Sequence, residues 1–329
     1  MYGYSTFHEN IMRTLIDSVH KGTNSHAYIF EGAQGLHRHI SAELFAAALT
    51  CLNTEVAPCG SCRSCDESSA GTNPDIYHVE REKENGKLKK TLGIEPIRKA
   101  VKDAQIKPFN APHKVYIIDE GDLMTPEAQN AFLKTLEEPP SYAVFIIIVN
   151  NSASLLQTVL SRAELIHFPP VSDKITEEYL LKKYPEERNR IGFLAKYCGG
   201  IPGEAEKIIE NESFEELRKK TLDVIPKLLS ANTADAFKVQ DFFSQNSDST
   251  DLLLDFFISY LRDITVIQCG ETGNIINTDK AEMLRRIAAL TDERLPVKAV
   301  GEILTAKDML SRSVKQSAAI LRCALAIRI

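Results

Sequence analysis

Four of the seven cysteines fall between positions 51 and 65, in the arrangement Cys51-x7-Cys59-x2-Cys62-x2-Cys65. Three thiols at two consecutive x2 spacings, with a fourth at the end of a preceding helix, suit a closed tetrahedron around Zn2+. Gly60, Ser61 and Ser64 are small enough for a tight knuckle, and Arg63 is placed to offset thiolate charge. An iron–sulfur cluster is the other metal this ligand set admits. Four cysteines leave no open coordination position, so the site reads as structural rather than catalytic. Cys198, Cys269 and Cys323 lie in helical context and are expected to be small core residues.

A second set of residues concerns phosphate chemistry. Gly32-Ala33-Gln34-Gly35-Leu36-His37-Arg38-His39 lies between a strand-like and a helical segment. A phosphate-binding loop there needs G-x-x-x-x-G-K-[ST], with amides around the phosphates, a Lys on the β/γ oxygens and a hydroxyl on Mg2+. Gly32 and Gly35 suit the turn, but His37 replaces the second required Gly, Arg38 the Lys and His39 the hydroxyl. On local grounds this is an ordinary strand–turn–helix connection, and ATP turnover is not expected. Val115–Ile118 runs into Asp119 and Glu120, as at a site where Asp holds the Mg2+ shell and Glu orients water. Without a working loop those acids read as relics or helix-capping groups.

Leu160-Ser161-Arg162 raises two possibilities. An Arg at such an edge is ordinarily solvated or salt-bridged. It also has the fixed planar charge of an arginine finger, which stabilises a γ-phosphate bound on a neighbouring subunit. Neither G-x-S-x-G nor H-E-x-x-H occurs, and no Ser/His/Asp or Cys/His set stands out.

These residues must be held by an α/β framework. Ala27–Glu31, Ile76–Val79, Val115–Asp119, Ala143–Val149 and Glu164–Phe168 read as strands. The third and fourth are apolar at consecutive positions, the signature of a parallel sheet covered on both faces. A helix is expected from about Ile40 to Leu49. Another starts at Thr125-Pro126, shows Ala128, Phe132 and Leu136 on one face, and stops at Pro139-Pro140. A short helix is expected over Ser154–Val159. Asn85-Gly86, between Glu80–Glu84 and Lys87–Thr91, signals a solvated hairpin. After Pro170 only helices are expected, including Ile191–Tyr197, Glu204–Ile209, Leu252–Ile267 and Ala299–Asp308. Gly199-Gly200-Ile201-Pro202-Gly203 forms a break and restart.

The chain has 329 residues, enough for two or three domains, and a formal charge of −6. That balance argues against a surface that grips nucleic acid throughout. The longest apolar run, Ala143–Val149, is far short of a membrane span, and Met1–Thr6 shows no apolar leader, so a cytoplasmic protein is expected.

The order of these parts resembles the clamp-loader branch of the AAA+ ATPases, from about residue 5 to 205. The resemblance is carried by His26–Gly32 leading into the loop, the cysteines after the next helix, Lys114–Glu120 and Leu160-Ser161-Arg162. Its most specific part is Ala128-Gln129-Asn130-Ala131-Phe132-Leu133-Lys134-Thr135-Leu136-Glu137-Glu138-Pro139-Pro140. Within that branch the chain is similar to the delta-prime type of subunit of the bacterial DNA polymerase III clamp loader. The resemblance implies an AAA+ core over 1–169 with a zinc knuckle at 51–65, a helical lid over 170–206 and a helical collar over 207–329. It implies zinc on Cys51, Cys59, Cys62 and Cys65, and an inactive nucleotide site at Gly32, Gly35, His37, Arg38, His39, Asp119 and Glu120. Arg162 would be a finger in trans, although the Cys that ends the family's Ser-Arg-Cys motif is Ala163 here. Glu204 stands at the lid's usual basic sensor position, and Asn150 and Asn151 at the first sensor position. The implied role is an accessory subunit of a DNA-directed DNA polymerase holoenzyme, associated with the replisome and inactive alone. Its partners would be gamma/tau-type motors and a delta subunit, with the sliding clamp and primed DNA reached through the complex. An active motor of the same superfamily and a zinc-dependent nucleic-acid binder are the other readings.

Overall fold

The computed structural model describes residues 7–84, 86–230, 232–271 and 273–328. The segment Met1–Thr6 and the turn residue Asn85 lie outside them. In chain order, α1 (Glu9–His20), β1 (Ala27–Gly32), α2 (Arg38–Leu49), α3 (Arg63–Ser69), β2 (Ile76–Val79), β3 (Lys83–Glu84) and β4 (Lys87–Leu88) come first. They are followed by α4 (Ile94–Asp103), β5 (Lys114–Ile118), α5 (Pro126–Glu137), β6 (Ala143–Val149), α6 (Gln157–Leu160) and β7 (Glu164–Phe168). Then come α7 (Asp173–Lys183), α8 (Ile191–Tyr197), α9 (Pro202–Glu210), α10 (Phe214–Leu228), α11 (Thr233–Gln245) and α12 (Thr250–Gln268). The last three are α13 (Ala281–Leu290), α14 (Leu295–Ser311) and α15 (Gln316–Ala326).

Five strands form one parallel sheet in the order β2-β5-β6-β1-β7, and they are the five expected. The continuous apolar strands work as argued. Tyr28, Phe30, Val115, Ile117, Val144, Ile146 and Ile148 pack on one face with α1, α2 and the cysteine segment. Ala27, Ile29, Tyr116, Ile118, Phe145, Ile147 and Val149 pack on the other with α4 and α5. Period-2 alternation therefore sends the residues of the central strands β5 and β6 into one or other of two cores. At β1 the order reverses, and ligand crevices form outside the carboxyl ends of strands at such a point. The 32–37 loop, Asp119 and Asn150 all follow strands at that edge.

The expected cap on α5 is present, with the Thr125 hydroxyl accepting from the Ala128 amide. The helix read over Ser154–Val159 is displaced. A 3-10 turn at Ser152–Ser154 is followed by α6, because Leu155 and Leu156 are extended.

By compactness the chain has two units: the described residues up to Ile175 with Ile201–Gly203, and Thr176–Gly200 with Glu204 onward. In the second unit α8 shares one apolar core with α10, α12 and α14. Residues 176–200 and 204 onward therefore form one packing unit rather than two. Among the described residues no helix is long and apolar enough to cross a membrane. Cys198 and Cys323 are buried as expected; Cys269, just past the end of α12, is exposed.

Candidate functional site

The cysteine knuckle is built from the end of α2 and the start of α3. Cys51 follows α2 by two residues, Cys62 caps α3 and Cys65 lies in its first turn. The Ser64 hydroxyl donates to Thr50 O at 2.7 Å, and the Asn73 amide donates to the Ser64 and Ser68 hydroxyls at 2.9 Å, which fastens α3 to α2. The four Sγ atoms all lie within 4.8 Å of one another. Cys51–Cys62 and Cys59–Cys65 are 3.9 Å apart, and Cys51–Cys65 3.7 Å. A zinc tetrahedron with Zn–S of about 2.3 Å has edges of about 3.8 Å, so the spacing fits a tetrathiolate metal site. A disulfide needs about 2.05 Å. The amides of Asn53 and Cys59 donate to Cys51 Sγ at 3.4 Å, as they would to a metal-bound thiolate. Without a cation, burial pushes the Cys51 thiol up, whereas hydrogen bonds from Ser61 pull Cys59 down to about 6. Arg63, expected to offset thiolate charge, is exposed and pairs with Glu67 at 2.7 Å.

Between β1 and α2 the chain turns through two left-handed residues. Gly35 has φ +94° and His37 φ +54°. Position 37 thus holds the left-handed bend that favours glycine, at a cost of about 1 kcal/mol for a residue with a Cβ. Above the loop, the Gly203 amide donates to Gly35 O at 2.9 Å, and a Cβ on Gly203 would lie 2.6 Å from Gly35 Cα.

Arg38 points into the protein and is 7% exposed. Its guanidinium donates to Val149 O, to Phe30 O at 3.4 Å and to Asn150 Oδ1 at 2.8 Å. It therefore ties together the carboxyl ends of β1 and β6. Burial lowers its pKa, opposed by the charges of Asp122, Asp119 and Glu31.

His39 sits between two carboxylates, with Nδ1 3.3 Å from Asp119 Oδ2 and Nε2 3.4 Å from Glu43 Oε1. The Asp119 contact raises the His39 pKa, and the same contact lowers that of Asp119. The His39 imidazole, its charged form favoured, thus stands beside the acid that would hold Mg2+ in a working site. Glu120, with φ +52°, is gripped by Arg81 through two bonds of 2.7 and 3.0 Å. Asn150, besides receiving Arg38, gives its amide N–H and side chain to Asp122 at 2.8–2.9 Å.

Arg162 is about one-third exposed beyond α6. It donates to Thr158 O at 2.8 Å, to Ser161 Oγ at 3.1 Å and to Glu137 Oε1 at 2.7 Å. Ala163, where the family motif has Cys, is partly buried against the α4–α5 core. Glu204 pairs with Lys207 at 2.7 Å.

The structure therefore brings His39 and Asp119 together, and separately the four cysteines. Sequence reasoning overlooked Arg81, Asp122, Gln129 and Glu137. Gln129 spans Met124 O, Ser154 O and the Leu156 amide, and so fixes the segment leading to α6. For Gln129 and Glu137 the signal was their place in the Ala128–Pro140 block; Arg81 and Asp122 are lone charges in charge-rich stretches.

A family model described as "DNA polymerase III, delta subunit" matches residues 7–172, and one described as "DNA polymerase III, delta subunit, C terminal" matches 212–317. The chain is 28% identical to the DNA polymerase III subunit delta' of Bacillus subtilis, over 92% of this chain and 91% of that one. It is 25% identical to the DNA polymerase III subunit tau of the same organism, over 93% of this chain but only 56% of that one. A solved DNA polymerase III gamma subunit-related protein from Thermotoga maritima covers 98% of this chain and 99% of its own. At 17% identity its TM-score is 0.39, too low to bear on the fold.

Proposed function

The chain belongs to the DNA polymerase III delta subunit family, and from that premise we propose that it serves as a delta-prime type, non-hydrolysing subunit of a clamp loader. It supports ATP-dependent placement of a sliding clamp on primed DNA, in the cytoplasm at the replisome. Its partners are gamma/tau-type motors and a delta subunit, and it meets clamp and DNA through the complex.

The observation that carries the non-hydrolysing reading is the engagement of Arg38 and His39 within the chain. The side chain at the phosphate-lysine position is spent on two strand ends, and the one at the Mg2+ position on Asp119. Neither is free to neutralise a triphosphate, and the Gly203 segment covers Gly35. These features support a core that keeps its shape without nucleotide and argue against an active motor.

Arg162 then acts on a neighbour's ATP. Its guanidinium, aimed by Thr158 and Ser161, supplies fixed positive charge to the γ-phosphate as bridging and terminal oxygens gain charge in the transition state. The functional division is a core over 1–169, a lid over 170–206 and a collar over 207–329. Leu290, Val297 and Leu304, exposed on α13 and α14, support a collar that packs against other subunits. Cys51, Cys59, Cys62 and Cys65 would hold zinc, which when bound cross-links the 51–65 segment and takes no part in hydrolysis.

The test is reconstitution with gamma/tau-type motor and delta subunits. Arg162→Ala is expected to assemble normally yet lower DNA-stimulated ATPase and clamp loading by about tenfold or more, while the lone chain turns over no Mg-ATP. Unchanged ATPase in the variant complex would remove the finger assignment, and turnover by the lone chain would remove the non-hydrolysing one.

A further inference from the structure

Two acids, Glu137 and Glu138, end α5. The carboxyl end of a helix carries the negative pole of its dipole, so an acid there works against the helix that bears it. Lys134 is the only basic residue in that last turn. Glu137 is therefore not explained by the stability of α5. Its Oε1 instead accepts from Arg162 Nη2 at 2.7 Å, across 25 positions of sequence. On the other side of the guanidinium, Nη1 is held by Thr158 O at 2.8 Å and Ser161 Oγ at 3.1 Å. Three acceptors from two elements thus fix the plane of one exposed fork. A guanidinium left on a free four-bond stem samples many rotamers, and ordering it at the moment of reaction carries an entropic cost.

We infer that Glu137 is a positioning residue for Arg162: it holds the guanidinium plane in one orientation, so that the finger meets a neighbouring subunit's phosphate already aimed. This rests on the reading of Arg162 as a finger. Glu137 is itself about half exposed, and an ion pair in that setting is weak. The pair can therefore yield one N–H to a more highly charged phosphate, while Thr158 and Ser161 keep the other in place.

The experiment compares Glu137→Ala, Glu137→Gln and Arg162→Ala in the reconstituted complex, measuring kcat and KM for ATP. Glu137→Ala is expected to lower kcat by about tenfold with little change in KM, since orientation rather than ground-state binding is lost. Glu137→Gln keeps an acceptor at the same reach and is expected to recover most of kcat. Unchanged or raised kcat in Glu137→Ala, with Arg162→Ala impaired, overturns the positioning role and leaves the finger standing. An equal loss in Ala and Gln variants also overturns it. If Arg162→Ala itself is unimpaired, the finger reading fails and the positioning role falls with it.

Discussion

Replacing Arg38 by Met keeps the length and apolar stem of the side chain and removes its five donors. The structure sets the size of the effect. Two acceptors, Val149 O and Asn150 Oδ1, lose close bonds, while Phe30 O, at 3.4 Å, loses a marginal one. Leaving the buried Val149 O unpaired costs about 1–3 kcal/mol, whereas Asn150 is exposed and its Oδ1 can turn to water. Part of this is returned, because a charge with a real burial penalty is no longer buried. A net loss of about 1–2 kcal/mol remains, which for a unit of this size lowers Tm by about 2–8 °C. The chain has no Trp and ten Tyr, so far-UV circular dichroism and tyrosine emission are the probes, with urea titration to check that m is unchanged. Arg38→Lys keeps the charge but not the fork and is expected to fall between the parent and Met. A Met variant that melts within about 2 °C of the parent, or above it, would refute the view that this guanidinium is a tie between strands.

Metal analysis of the purified chain is expected to find about one zinc per chain. Cys65→Ser should lose it and raise protease sensitivity around residues 51–65, and a fully folded, metal-free parent would contradict the site. The His39–Asp119 contact predicts a pH dependence. His39 is raised from an ordinary 6.5, so its contribution is complete below 6.5 and lost as pH rises through the higher folded value. Asp119 is lowered from 3.8, so its contribution is complete above 3.8 and lost as pH falls through the lower folded value. The stability difference between parent and His39→Gln should therefore be largest at about pH 4–6 and fade as pH rises through the folded His39 value; a difference that stays flat from about pH 4 upward would dissolve the pairing.

Much of the sheet was legible because burial on both faces leaves a direct trace in composition. Ala143–Val149 reads as a strand since no solvent-facing position interrupts it, and the cysteine spacing reads as a metal site since ligands must converge. Positions in the phosphate loop were legible too, but what their side chains do was not. Arg38 at the lysine position is compatible with a long cation facing solvent or facing inward, and only the unpaired carbonyls at the ends of β1 and β6 decide it. Likewise Arg81, Asp122 and Glu137 are ordinary charged residues until Glu120, Asn150 and Arg162 arrive beside them from 25 or more positions away. The helix before Arg162 was misplaced because Ser154, a credible cap by type, instead donates to Asn151 O within the 3-10 turn.

The left-handed backbone at His37 bears on how such a chain can change over generations. Gly at that position would relieve the bend but give up the ring contact between His37 and Phe7. That step leads nowhere alone. The next step, at Arg38, passes through a chain that has lost the cross-tie between two strand ends before it has gained anything, and a third, at His39, strands Asp119 without a counter-charge. On the proposed reading a change toward a nucleotide-binding sequence therefore crosses a valley, because Val149, Asn150 and Asp119 depend on the side chains now present.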